Sequence, residues 1–414
     1  MGPAAATAAT TTTTLASTAA LSTGATASAS GPSARQLASA ATQLPPLGAL
    51  VVATIGSLAG LTDVLAALAQ GDAATKMAMA ATDLGLLSAL LRLLRPAPYA
   101  LLGEPHYAGV VLRVLKALRH LSMDPLCLEA LDACGAVGVV VHLLTRHLRP
   151  QLAAPSSSSS FTAASGGGGG RLPESGELST TMHVLFNLLR VNKARQQAAA
   201  ASGVVPALQR VIGAAPTLKP LAIPLLCDMA FAGAKARSAL EEHAAYDTLL
   251  CIVATESYWH VHALTALSTW SASSSGLCGV LARGGSVDAL AHVFVASTTY
   301  LEAVLPPLLA IAERCADVAG ALAARGDFMR ALCERLAHEG AVKATLLKGL
   351  LGLLRAVHAG CADKPALLRR WALRELLADV LRRVPHKAVL LALAQAVLAA
   401  LQAPPAAEGG VAGR

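Results

Sequence analysis

The stretch "LFNLLRVNKARQQAAAASGVVPALQRVI", residues 185–212, determines the fold. An apolar helical stripe ends at a polar corner, Val191–Ala194, and a short Ala-rich helical segment follows. The helix breaks at Gly203 and resumes at Val204–Ile212. The pattern therefore predicts short helices, each with an apolar face that must pack against neighbours.

The break recurs at a constant interval along the chain. Gly203, Ala244, Gly285 and Gly326 each precede an apolar helix, and successive positions lie 41 residues apart. A helical period of about 40 residues is typical of armadillo and HEAT repeats, whose units bury their apolar faces only by stacking. We therefore predict an all-α, armadillo/HEAT-like, right-handed superhelical solenoid of about 7–8 repeats, with a concave groove lined by the third helices.

The small residue at each break has a structural role. A short second helix is expected to turn sharply there into a long third helix, and Gly tolerates the left-handed or tight backbone that such a turn needs. Pro206 suits the first turn of the new helix.

Two earlier copies of the unit occupy 75–94 and 115–144, with breaks at Gly85 and Gly135. The interval to the next unit is longer because of the Ser/Gly-rich run at 154–176, which is a flexible linker by composition. We therefore predict that the chain divides into five segments: a disordered Ala/Thr/Ser-rich N-terminus (1–46), N-terminal armadillo-like repeats (47–149), a flexible linker loop (150–176), further armadillo-like repeats (177–403) and a disordered tail (404–414).

The composition favours helix and shows no sign of catalysis. Hydrophobic residues make up 54% of the chain but aromatic residues only 3%, which disfavours sheet. The eight cysteines form no Cys-x-x-Cys pair and no zinc spacing, so we interpret them as small core residues in a reducing compartment, with no metal or cofactor. Nucleotide-binding, kinase and hydrolase motifs are all absent, so the sequence predicts a non-enzymatic chain.

The expected location is cytoplasmic, with recruitment to a membrane or a division site. Residues 1–44 contain no acid and one base, Arg35, which leaves plastid targeting as a weaker alternative to plain disorder. The apolar segments Leu47–Leu61 and Ala388–Leu401 are shorter than the ~20 residues that a membrane span needs, so we interpret both as helices of the array.

The 41-residue frame also predicts a binding face in the groove. Asn187, Asp228 and Thr269 occupy equivalent positions on successive long helices, and residues one turn earlier share their face. An alternative for Asn187 is that it satisfies a neighbouring helix end. The candidate groove residues are His183, Asn187, Arg190, Asp228, Thr265 and Thr269.

The formal net charge is +8, and the segment Lys364–Arg383 is the richest in arginine. Such a surface attracts acidic proteins or anionic lipid, although a solvated helix face is the simpler interpretation. The absence of a basic patch interleaved with aromatic residues argues against nucleic acid. The candidate basic surface consists of Arg369, Arg370, Arg374, Arg382 and Arg383.

The stretch "ESYWHVHAL", 256–264, is rich in aromatic residues. Such density can mark a contact hot spot, but we expect Trp259 to lie in the core. His260 and His262 do not share a helix face, which argues against a metal pair.

Several strings resemble one protein family. "LFNLLRVNKARQQAAAASGVVPAL" (185–208), "IPLLCDMA" (223–230) and "ESYWHVHAL" (256–264) resemble the C-terminal repeat region of plant-type mitogen-activated protein kinase kinase kinase epsilon, which is related to fungal septation and mitotic-exit kinases. "LRHLSMDPLCLEAL" (118–131) is also similar, and "TLLKGLLGLLRAVH" (345–358) more loosely so. In armadillo proteins generally, an Asn at the place of Asn187 binds the backbone of an extended peptide, whereas Asp228 and Thr269 depart from that pattern.

The resemblance implies a regulatory or targeting role in MAP-kinase-type or cell-division signalling, with kinase-cascade components as partners. Because the family's kinase domain lies N-terminal to the repeats and no kinase motif occurs here, two hypotheses remain. The chain is a stand-alone protein-interaction scaffold, or it is the regulatory C-terminal part of a Ser/Thr kinase whose catalytic domain is absent from this chain. A third hypothesis is a peripheral adaptor on anionic membranes.

Overall fold

The computed structural model describes residues 47–81, 85–95, 104–152, 175–338, 343–383, 392 and 394–399. Within these ranges all regular structure is helical and no strand is present. The predicted N-terminus (1–46), the tail (404–414) and residues 153–174 of the predicted linker lie outside the described residues. At the edges of that linker, residues 150–152 complete one helix and Gly176 begins the next.

By internal contact the chain divides into two units. The first covers Met1–Ala53, of which residues 47–53 are described and are helical. The second, Thr54–Arg414, contains the repeated helices.

The described α-helices recur in sets of three along the chain, and we name the three positions of a set short, middle and long after their usual lengths. The short helices are α2 (Ala73–Ala80), α5 (Pro125–Ala133), α8 (Lys193–Ala201), α11 (Ala234–Glu242), α14 (Ser275–Leu281), α17 (Ala316–Ala324) and α20 (Lys364–Arg370). The middle helices are α3 (Leu86–Leu93), α6 (Ala136–Leu152), α9 (Val204–Ala214), α12 (Ala245–Thr255), α15 (Gly284–Ala296), α18 (Gly326–Ala337) and α21 (Leu373–Arg383). The long helices are α1 (Leu47–Leu68), α4 (Glu104–Ser122), α7 (Gly176–Leu189), α10 (Lys219–Ala232), α13 (His260–Ser271), α16 (Leu301–Arg314) and α19 (Ala344–Gly360).

Six complete triplets follow α1, and α20, α21 and the helical residues 394–399 belong to one more unit. The prediction of about 7–8 repeats is therefore confirmed for the described residues. The predicted order of helices within a unit was wrong. The break at Gly203 follows the first, short helix, and the helix after it, α9, has 11 residues, whereas α10 has 14. The third helix is the longest in five of the six complete triplets, and three of these third helices position the predicted groove residues.

The 41-residue period also sets where the short helices begin. Their N-caps are Asn192, Gly233, Ser274 and Cys315, which lie 41 residues apart. Asn192 accepts a hydrogen bond from the Arg195 amide at 3.0 Å, and Ser274 accepts one from the Leu277 amide at 3.2 Å. These side chains satisfy amide groups that a helix start leaves without partners, so the polar corners start helices.

The predicted left-handed backbone conformation is present at some of the breaks and absent at others. Gly85, Gly135 and Gly203 have φ of 59°, 75° and 81°. Ala244 adopts the same region at φ 48° although it carries a Cβ. Gly285 and Gly326 have no positive φ; they lie in the first turns of α15 and α18, so that prediction was wrong for them.

A pair of substitutions tests the break. Gly203→Val is expected to cost about 1–3 kcal/mol, because a β-branched residue is strained at φ 81° even though no atom lies within 4 Å of the added Cβ. The matched control is Gly285→Val, in helical backbone with equally open space. Ala244→Gly is expected to gain about 0.5–1 kcal/mol, since it removes strain at φ 48°. Thermal melts followed by circular dichroism check these values, and equal melting curves for the two Val variants would contradict the strain argument.

Equivalent helices pack against each other from unit to unit. The long helices α4, α7, α10, α13, α16 and α19 contact in that order, and the middle helices α6, α9, α12, α15, α18 and α21 do the same. Their buried faces are mainly Leu, Val and Ala, with Trp270, Phe294 and Phe328 as the largest fully buried aromatic side chains besides Tyr107. Full burial of one Leu or Val side chain stabilises the fold by about 1.5–3 kcal/mol. The packing between equivalent helices of neighbouring units therefore holds the solenoid together. The fold is an all-α, armadillo-like solenoid.

Two cysteines depart from the sequence interpretation. Cys278 of α14 and Cys315, the N-cap of α17, are joined by a disulfide, with Cα atoms 5.3 Å apart. Cys127 and Cys227 are buried, while Cys134, Cys251, Cys333 and Cys361 are half-buried. The prediction that all eight cysteines are reduced core residues was therefore wrong for the linked pair.

Within the described ranges, no single helix is both long enough and apolar enough to cross a membrane. Two helix pairs reach that length and composition only when joined, and they are bent by 82° and 77°.

Candidate protein-interaction surfaces

The long-helix face is the side of α4, α7, α10, α13, α16 and α19 that is not covered by the rest of the solenoid. The six predicted groove residues all lie on three of these helices: His183, Asn187 and Arg190 on or directly after α7, Asp228 on α10, and Thr265 and Thr269 on α13. All except Arg190 are half-buried, and Arg190 is exposed. Because α10 packs against both α7 and α13, the fold brings the three groups onto neighbouring helices.

Asn187 links two long helices. Its Nδ2 donates to the hydroxyl of Ser122 at 3.0 Å, and Ser122 in turn donates to the Arg119 carbonyl at 2.9 Å. Ser122 is the last residue of α4. The Asn187 amide therefore bonds the end of the neighbouring long helix, and its side chain stays half-buried on the long-helix face.

The other predicted residues mostly make local contacts. The Nδ1–H of His183 donates to the Ser179 carbonyl at 2.8 Å, one turn earlier on α7. The Thr265 hydroxyl donates to the Val261 carbonyl at 2.7 Å. These bonds orient the side chains while leaving part of each accessible.

Asp228 has a neighbour that the sequence did not reveal. Its Oδ1 lies 3.5 Å from Nε2 of His262 on the next long helix. The two groups do not form a hydrogen bond, and His262 Nε2 is buried without a hydrogen-bond partner. Both side chains are about one-third to two-fifths exposed, so the contact is a screened one. The sequence argues against His262 as a metal ligand, and no local pattern predicts its contact with Asp228.

A groove of about 370 Å³ continues the long-helix face between α16 and α19. Its apolar lining includes Pro306, Leu309, Leu346, Gly349 and Gly352. Ion pairs flank it, Lys343 with Glu302 at 2.9 Å and Arg355 with Glu313 at 2.9 Å. No pattern in the sequence indicated this groove.

Glycines 349 and 352 explain how the two helices of this groove approach each other. A Cβ on Gly349 would lie 2.5 Å from Leu305 Cδ2, and one on Gly352 would lie 3.1 Å from Leu309 Cδ2. Two glycines three residues apart on one helix face were the signal that could have indicated the close packing.

The predicted basic surface divides into two parts. Arg383 donates to the carbonyls of Leu336, Ala337 and His338 at 3.1 Å each, so it caps the end of α18. Arg382 and Arg383 also pair with Asp379, at 3.3 Å and 2.9 Å. Arg369, Arg370 and Arg374 are exposed and have no ion-pair partner among the described residues, although Arg370 lies over the Trp371 ring at 5.5 Å.

The aromatic stretch at 256–264 lies at an edge of the solenoid. Tyr258 is 83% exposed, and Trp259, expected in the core, is half-buried. The Tyr258 and Trp259 rings meet edge to face at 4.8 Å. Trp259 sits at the start of α13, where the chain enters from a loop, so the helix packing covers only part of it.

In the described part of the chain, no group of three or more His, Cys, Asp or Glu residues could hold a metal ion. The absence of a cofactor and of catalysis stays a prediction.

Comparison with known proteins decides the relationship. No family model matches the chain. It is 30% identical over 258 residues to "MAP3K epsilon protein kinase 1" of Brassica napus, which covers 60% of this chain and 17% of that protein. It is 26% identical over 289 residues to "Cytokinesis protein sepH" of Aspergillus terreus, which covers 67% of this chain and 19% of that protein.

The chain is homologous to the non-kinase part of these proteins. The resemblance inferred from the sequence strings is thereby confirmed. The Arabidopsis thaliana "MAP3K epsilon protein kinase 1" is also 30% identical, over 258 residues, 60% of this chain and 16% of that protein. The chain spans less than a fifth of the length of these curated relatives.

Among solved structures, the chain is similar to the designed armadillo repeat protein YIII(Dq)4CqI, with a TM-score of 0.43 and 17% identity over 64% of this chain and 98% of that one. It is similar also to a chain from a study of the interaction between cadherin and beta-catenin, with a TM-score of 0.45 and 18% identity over 84% of this chain and 75% of that one.

Proposed function

We propose that this chain is a non-enzymatic protein-interaction scaffold that binds an extended segment of a partner on its long-helix face. Its role would be regulatory or targeting, in a MAP-kinase-type or cell-division pathway. Two findings support the proposal: the relatives are a MAP3K epsilon kinase and a cytokinesis protein by name, and the matched part of them lies outside the kinase.

The observation that carries the proposal is the polar column formed by Asn187, Asp228 and Thr269. These residues repeat every 41 residues, lie on adjacent long helices and remain half-buried. Packed helices lie about 8–10 Å apart and an extended chain rises about 3.3 Å per residue, so each column residue can meet about every third residue of an extended partner. Amide, carboxylate and hydroxyl groups together match both the donors and the acceptors of such a backbone.

The groove between α16 and α19 extends the same face with an apolar surface. Pro306, Leu309 and Leu346 would receive an apolar side chain of the partner, and the flanking ion pairs would form a polar rim. The partner would therefore combine an extended polar stretch with an apolar anchor.

The kinase relatives also support the second hypothesis, a regulatory region acting on a Ser/Thr kinase catalytic domain. In that case the long-helix face would hold a segment of the kinase itself or of its cascade. A cytoplasmic location, recruitment to a membrane or division site, plastid targeting and contact of Arg369, Arg370 and Arg374 with anionic lipid all stay predictions.

The test is an affinity pull-down with the full chain from a lysate of the source cells, quantified by mass spectrometry. The face variant combines Asn187→Ala, Asp228→Lys and Thr269→Lys. We expect the recovery of specific partners to fall more than tenfold, because the variant removes the three polar groups of the column and adds two positive charges to the face.

The matched control is Ala201→Lys with Glu242→Lys, two exposed positions at the ends of short helices. It changes the net charge by the same amount, since each variant replaces one acid and one neutral residue by lysine. Melting curves check that both variants remain folded. Partners kept by the face variant, or lost equally by the control, would place binding elsewhere; the absence of any specific partner would contradict the scaffold function.

A further inference from the structure

Two neighbouring corners of the solenoid, the turns between a long helix and the next short helix, expose apolar side chains. Met123 lies between α4 and α5 and is 64% exposed, and Val191 lies between α7 and α8 and is 88% exposed. Leu126, in the first turn of α5, is 63% exposed. The residues that correspond to Val191 at the next three corners are Ala232, Ser273 and Arg314. The large apolar side chains therefore belong to the first two of these corners.

The same two corners are held side by side. The Asn187 side chain donates to the Ser122 hydroxyl at 3.0 Å, and α4 packs along α7. Ser122 directly precedes Met123, and Asn187 lies about one helical turn before Val191. Met123 and Val191 therefore lie next to the same junction between two helices.

Val191 has a backbone conformation that its side chain disfavours. Its φ is 66°, and a β-branched residue is an outlier in this left-handed region. A Gly or an Asn would adopt the same turn with less strain. Because the Val191 side chain is 88% exposed, its packing within the described structure offsets little of the strain. Backbone strain of this kind is concentrated at functional sites, so it agrees with a contact made by this side chain.

Four exposed cationic side chains lie within six residues of the Asn187–Ser122 hydrogen bond along the chain: Lys116, Arg119, Arg190 and Lys193. None of them has an ion-pair partner among the residues that the structure describes. The one carboxylate in the same two stretches, Asp124, accepts a hydrogen bond from the Leu126 amide at 3.0 Å and caps α5. The surface around the junction is therefore positively charged.

His120 senses this charge from its place on α4. Its pKa is lowered by burial and, to a smaller extent, by the charges of Arg119 and Lys76. Lys76 belongs to α2, which packs against α5, so a third helix adds to the positive surface.

The combination of apolar and cationic groups determines the kind of partner. Carboxylates pair with guanidinium groups through charge-assisted hydrogen bonds, and an apolar side chain removes exposed apolar surface from water. A purely acidic ligand would leave Met123 and Val191 exposed, and a neutral apolar ligand would leave the arginines without partners. Arg and Met are also enriched in protein interfaces.

We propose that the corner patch, defined as Arg119, Met123, Arg190 and Val191, binds an acidic segment of a protein partner that carries an apolar residue. Carboxylates of the segment pair with Arg119 and Arg190, and its apolar side chain covers Met123 and Val191. The inference rests on the proposed function and deepens it, because Asn187 of the polar column lies at the same junction. It gives the chemical class of the partner at this end of the long-helix face.

The test is a fluorescence-anisotropy titration of the purified full chain with a rhodamine-labelled peptide, Gly-Asp-Glu-Asp-Leu-Leu-Asp-Glu-Asp-Gly. One matched probe replaces each Asp and Glu by Asn and Gln, and a second replaces both Leu by Ser. We expect the acidic, apolar probe to bind at least about tenfold more tightly than either matched probe. Its affinity should fall as salt rises, because salt screens exposed charges.

Variants assign this binding to the corner patch. The corner variant, Arg119→Gln with Arg190→Gln, is expected to weaken the acidic probe at least about tenfold. The control, Arg92→Gln with Arg330→Gln, removes two exposed charges from middle helices and should leave binding unchanged. Val191→Asn separates contact from strain: Asn tolerates φ 66° better, so this variant should melt at the same or a higher temperature and yet bind the probe more weakly.

Equal binding of the three probes, no saturable binding of the acidic probe, or equal effects of the two double variants would each overturn the proposal. Vesicles of phosphatidylcholine and phosphatidylserine in equal parts are titrated in parallel. Vesicle binding that depends on Arg119 and Arg190, without binding of the probe, would also overturn it and assign the patch to a lipid surface. The titration needs no cellular partner, so it fails separately from the pull-down: probe binding lost only in the corner variant supports the patch even where the pull-down finds no partner.

Discussion

Gly360→Val is expected to destabilise the chain by about 2–4 kcal/mol, because no space exists for a side chain at the crossing of α17 and α19. A Cβ on Gly360 would lie 2.5 Å from the Ala316 carbonyl oxygen and 2.9 Å from the Gly320 amide nitrogen. Both contacts are with backbone, which cannot move aside as a flexible side chain can. The two helices would have to separate, and their buried Leu and Val contacts would be lost.

Urea unfolding of the full chain, followed by circular dichroism, measures this loss. Hydrogen exchange should localise it to α17 and α19, since repeats contact mainly their neighbours. The control is Gly213→Ala, at an exposed helical position with no atom within 4 Å of the added Cβ. That change should gain up to about 1 kcal/mol through helix propensity. If Gly360→Val unfolded like the control, the close crossing would be wrong.

Arg335→Ala is expected to cost about 2–4 kcal/mol through the loss of a cap on a neighbouring helix. Arg335 donates from Nη1 to the Phe294 carbonyl at 2.6 Å, and from Nη2 to the carbonyls of Val295 and Ser297 at 3.1 Å and 3.0 Å. Its guanidinium also lies 4.3 Å from the centre of the Phe294 ring. These carbonyls end α15, where no intrahelical donor reaches them.

Two variants separate the cap from the charge. Arg335→Lys keeps the charge but not the planar fork, so we expect it to recover less than half of the loss. Arg330→Ala removes an exposed charge from the same helix and should change stability by less than about 0.5 kcal/mol. Melting curves of the three variants are compared, and equal curves for Arg335→Ala and Arg330→Ala would show that the cap does not stabilise α15.

At the repeat breaks, the periodic pattern predicted where helices begin but not the backbone conformation of each turn. The spacing of Gly203, Ala244, Gly285 and Gly326 correctly located four helix starts, but only the first two positions have a positive φ. Arg283 and Arg325 adopt extended backbone at the other two breaks and serve as N-caps, so the turn is made one or two residues earlier. Small residues at equal intervals therefore predicted the turn, while the local packing selected its backbone conformation.

The sequence by itself determined the helix content, the 41-residue unit, the corners at which helices begin and the relationship to the MAP3K epsilon and sepH proteins. These features depend on neighbouring residues and on their periodicity, which a single chain displays directly. Only the tertiary structure decided that Asn187 bonds Ser122, that Asp228 faces His262, and that Tyr258 and Tyr300 line one cavity. These contacts join residues on different helices, and their distances are set by how closely the helices pack. The packing in turn depends on side-chain volume, as the backbone contact at Gly360 shows, and no local pattern in the sequence records it.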